Sequence, residues 1–75
     1  MSKPLLADSA GALEAHNRGD FQVAAQLWQE LANDGDVTAQ YNLSLLYENG
    51  SGVGQDQNLA RYWLSMAARQ GMAQA

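Results

Sequence analysis

The chain repeats itself, and that limits its folds more than any other feature. At an offset of 36 residues Asp20 falls on Asp56, Ala24 on Ala60, Ala32 on Ala68, Gly35 on Gly71 and Ala39 on Ala75, while Leu27 faces Trp63 and Trp28 faces Leu64. Taking Ser51-Gly52-Val53-Gly54-Gln55 as an insertion extends the register upstream, with Gly19 on Gly50, Ala12 on Leu43 and Ala15 on Leu46. Similarity at such a period marks stacked supersecondary units, each burying its apolar face against the next. The spacing predicts one domain over 1–75, with a first repeat at 8–38, a second at 39–71 and the start of a truncated further repeat at 72–75.

Each repeat reads as two helices split by a breaker. In the second, Ala39, Leu43, Leu46 and Tyr47 recur at helical spacing up to Gly50, where a left-handed residue costs least. Asp56 stands where a helix cap belongs, ahead of a stripe of Leu59, Ala60, Trp63, Leu64, Ala67 and Ala68 that stops at Gly71. The first repeat carries the stripe Val23, Ala24, Leu27, Trp28, Leu31 and Ala32 between Arg18-Gly19-Asp20 and Asn33-Asp34-Gly35-Asp36. Helices are predicted over 8–18, 21–34, 38–49 and 57–70. No segment alternates like a strand. The fold class is therefore all-α, an α-solenoid of two stacked antiparallel helical hairpins.

Composition narrows the functions. Lys and Arg number 4 against 8 Asp and Glu, a net charge of −4, so no basic patch is available to displace counterions from a phosphate backbone, and nucleic acid is not an expected partner. The start, Met1 to Asp8, is not a secretory signal and no stretch is apolar enough to cross a bilayer, so membrane insertion is not expected and a cytoplasmic location is favoured. With no Cys, thiol chemistry and thiolate metal sites are excluded.

The second half carries a family resemblance in Ala39-x-x-x-Leu43-x-x-x-Tyr47-x-x-Gly50-x-Gly52-Val53-x-x-Asp56-x-x-x-Ala60-x-x-Trp63-x-x-x-Ala67-Ala68-x-x-Gly71. This resembles the Sel-one-like repeat, a longer-looped relative of the tetratricopeptide repeat. Ser44 stands where that family usually has Gly. The first repeat lacks the Gly-x-Gly-Val loop, and its Gly19-Asp20-Phe21-x-x-Ala24 is similar to an ordinary tetratricopeptide turn. The resemblance implies a helical solenoid doing adaptor or scaffold work, often in bacterial multiprotein assemblies or host interaction.

No residue set points to catalysis. His16 is the only His, which excludes a two-His metal site or a Ser-His-Asp set within the chain. It is expected to be a partly buried structural residue. The Gly-rich turn lacks the Lys-Ser or Lys-Thr of a phosphate cradle, and neither a metal site nor a cofactor fingerprint is present. Trp28 and Trp63 read as core. The face that core packing explains least holds Tyr41, Leu45 and Glu48, with first-repeat counterparts Ala10, Glu14 and Asn17; on the concave first-helix surface these would receive a partner peptide or helix bearing basic residues. The alternative is self-assembly into a homo-oligomer through an uncapped C-terminal repeat, at Trp63, Leu64, Ala67 and Met72.

Overall fold

The computed structural model describes residues 9–71. Four helices follow in order, α1 (Ser9–Asn17), α2 (Phe21–Asn33), α3 (Val37–Asn49) and α4 (Gln57–Arg69). Each bound lies within one residue of the one expected from spacing. Short connections make neighbours antiparallel, and α2 packs against both α1 and α3 while α3 packs against both α2 and α4. Among the described residues no strand occurs. The proposed start of a further repeat at 72–75, Met72 included, lies outside them.

Local chemistry sets the helix ends. Asp36 accepts from the Ala39 amide at 2.8 Å, and Asp56 accepts from the amides of Asn58 and Leu59 at 3.0 and 3.1 Å, so both cap the helices that follow. Asp20 precedes α2 in the same way, yet its side chain makes no cap bond. Instead it lies 3.6 Å from Arg18. Gly50 ends α3 in the left-handed region at φ 70°, donating its N–H to the Leu46 carbonyl.

Alanines set the helix spacing. Ala12 and Ala15 on α1, Ala24, Ala25 and Ala32 on α2 and Ala39 on α3 are all buried, which lets backbones approach closely around Trp28, Leu43 and Trp63. An indole takes about 150–250 Å² out of water, roughly 4–6 kcal/mol before entropy is charged against it. Ser44, in place of the expected Gly, is buried and turns its hydroxyl back to the Tyr41 carbonyl at 2.6 Å, so its polarity is satisfied within α3.

Three members of the predicted stripes are exposed. Val23 is 47% exposed, because it lies about 140° around α2 from Trp28, the centre of the buried face. Leu59 and Leu64 are 38% and 47% exposed; they flank the Ala60–Trp63–Ala67 face of α4 on either side rather than belonging to it. Conversely, Gln40 is buried. Its Nε2 donates to the Ala32 carbonyl at 3.2 Å, and its Oε1 accepts from Gln70 Nε2 at 2.9 Å.

Candidate interaction groove

The long connection between α3 and α4 is anchored at both ends. Ser51 donates its amide to the Leu46 carbonyl at 2.9 Å, Asp56 donates to the Tyr47 carbonyl at 3.0 Å, and the Gln55 side chain donates to the Glu48 carbonyl at 2.9 Å. The carbonyls of Leu46, Tyr47 and Glu48, in the last turn of α3, are thus satisfied by the loop itself. Between these anchors, Gly52 at φ 75° lies directly on the first turn of α2: a Cβ there would overlap the Phe21 carbonyl and come within 2.7 Å of the Gln22 nitrogen. The loop of the second hairpin therefore locks onto the first, with Val53 against the core.

On α3 and α4 a groove of about 390 Å³ opens between the two helices. Tyr41, Leu45 and Glu48 line it from α3, and Arg61 and Leu64 from α4. Its base is built from small buried residues, Ser44 and Ala60, so the groove exists because those two side chains do not fill it. Tyr41 is 38% exposed and Leu45 half-buried. The structure thus brings together the three second-repeat residues singled out in the sequence. Their first-repeat counterparts, Ala10, Glu14 and Asn17, are exposed on α1 but do not line this groove.

Of the residues named for self-association, Leu64 lies in the groove, whereas Trp63 and Ala67 are buried within the chain and offer little surface to another molecule. Arg61 was missed. Its signal in the sequence was its place three residues before Leu64, on the same side of the helix. His16 is half-buried at the end of α1, its ring edge-on to Phe21 with centroids 5.2 Å apart. Among the described residues no cluster of His, Cys, Asp or Glu is arranged to hold a metal ion, and no helix is long and apolar enough to cross a membrane.

Residues 37–72 match the family model for the Sel1 repeat. The chain carries a Sel1 repeat. The match places this span among the tetratricopeptide-like helical repeats, and it contains α3, the anchored loop and α4, hence both walls of the groove. Comparison with curated proteins and with solved structures finds no significant match. Sel1 repeats in general mediate protein–protein interaction and are typically non-catalytic.

Proposed function

We propose that this chain is a non-catalytic interaction module that takes a helical segment of a partner protein into the α3–α4 groove. The observation that carries this reading is the pairing of exposed apolar side chains on facing walls, Tyr41 from α3 and Leu64 from α4, above a base kept shallow by Ser44 and Ala60. Side chains of this kind anchor an amphipathic helix through residues three or four apart. What Sel1 repeats do in general supports the same reading. Because Arg61 offsets Glu48, apolar anchoring outweighs any preference for a strongly basic partner.

A photo-reactive amino acid placed in turn at 45, 64 and 26 tests it, since Gln26 is exposed on α2 away from the groove. Crosslinks to protein at 45 and 64 but not at 26 are expected. Equal crosslinking at all three, or none at the groove positions, would reject the groove as the interaction surface.

A further inference from the structure

The groove carries one charge of each sign, and both are unspent. Glu48 on α3 and Arg61 on α4 are exposed, and neither makes an ion pair with another described residue. In a chain with 4 Lys and Arg this matters, since Arg18 is already beside Asp20. A uniformly cationic partner would be repelled by Arg61 and a uniformly acidic one by Glu48. The pattern asks for an occupant with a base opposite Glu48, an acid opposite Arg61 and apolar side chains between them.

A second copy of the same surface, turned by half a rotation, has that pattern. In an isologous contact residue i of one subunit meets residue j of the other and j meets i, so a face bearing one acid and one base on opposite walls complements itself. The repeat supplies a second argument. On α2, Ala25 and Trp28 are buried, and α3 packs against that helix; on α4 the residues at the same register, Arg61 and Leu64, are exposed, and no described element plays the part of α3. The α4 face is thus the kind of surface this fold elsewhere covers with a helix.

We infer that two copies of the chain pair through their α3–α4 grooves about a two-fold axis. Tyr41 and Leu64 form the apolar centre, and two Glu48–Arg61 pairs, each joining one copy to the other, close the sides. This rests on reading the groove as an interaction surface and names its occupant.

Sedimentation equilibrium of the 75-residue chain from micromolar to millimolar concentration tests the pairing, alongside Glu48→Arg, Arg61→Glu and the double variant. The wild-type chain should show a monomer–dimer equilibrium. Each single reversal sets like charges against one another twice and should weaken association by about tenfold or more. An equimolar mixture of the two single variants restores opposite charges at both contacts and should associate as a heterodimer, as should the double variant with itself. Circular dichroism of each variant verifies that the helices are kept. A wild-type chain that stays monomeric, single reversals that leave association unchanged, or a mixture no tighter than its components would each overturn the inference. A monomer that still crosslinks at 45 and 64 to a different protein refutes self-pairing and leaves the groove reading standing; absence of groove crosslinks of any kind refutes both.

Discussion

Gly52 and Gly19 are both at positive φ, yet they answer to different physics. At Gly19 nothing lies within 4 Å of where a Cβ would be, so an Ala there meets only the cost of a left-handed backbone, about 1–2 kcal/mol. At Gly52 the same backbone cost is joined by collision with the Phe21 carbonyl, which belongs to a helix backbone that cannot rotate away. We expect Gly52→Ala to destabilise by clearly more than Gly19→Ala, about 3 kcal/mol or above once overpacking is added. Urea denaturation of the two variants measures the difference. Equal midpoints would mean that the loop lifts off α2 at little cost. The Gly-x-Gly-Val pattern was visible in the sequence as a turn, but its docking on α2 was not. That requires knowing which helix lies beneath the loop, and the local pattern carries no such information.

At the level of helices, three aspartates stand immediately before α2, α3 and α4, and a reading by residue type treats them alike. They are not alike. Asp36 and Asp56 accept amide bonds from the turn they precede, whereas Asp20 makes no cap bond and faces Arg18, both side chains being more than half exposed. Asp36→Ala and Asp56→Ala should each cost about 1 kcal/mol, the usual value of a lost cap. Asp20→Ala should cost less, since a solvated ion pair adds little. Thermal melts of the three variants read this order directly, and a loss at Asp20 equal to the other two would contradict it. Helix existence and ends were legible because period and breakers are local properties. Burial at the margins was not: Val23, Leu59 and Leu64 are apolar, and their exposure follows from where each helix axis lies relative to its neighbours. The groove was half legible for the same reason. Tyr41, Leu45 and Glu48 follow from the angular position of α3's free face, while the facing wall of Arg61 and Leu64 required the crossing of α4 over α3.

Across the whole chain, Gln40 ties together parts that are distant in sequence. It lies on α3 and donates to the Ala32 carbonyl near the end of α2, while Gln70, just past α4, donates to both Gln40 Oε1 and the Gly35 carbonyl at 2.9 and 3.2 Å. Two amides thus join the end of one hairpin, the turn after it and the last turn of the other. A polar residue on the buried side of α3 would be read from sequence as surface, and it survives burial only because both ends of its amide are partnered. Replacing it by Leu keeps the volume and removes one donor from the Ala32 carbonyl, which keeps the Gly35 amide at 3.0 Å, and one acceptor from Gln70, which keeps the Gly35 carbonyl. No buried group is left wholly unpartnered, so the cost should fall near the net value of a hydrogen bond, about 0.5–1.5 kcal/mol. For a domain of this size, 1 kcal/mol corresponds to a shift of about 4–8 °C in Tm. Gln40→Leu is therefore expected to melt several degrees below the wild-type chain. Because the amides bridge the two hairpins rather than stabilising one of them, the loss should also appear as decoupling. Relative to the wild-type chain, hydrogen exchange should speed up more in α4 than in α2. A variant that melts at the wild-type temperature with unchanged exchange would show that shape alone holds the two hairpins in register.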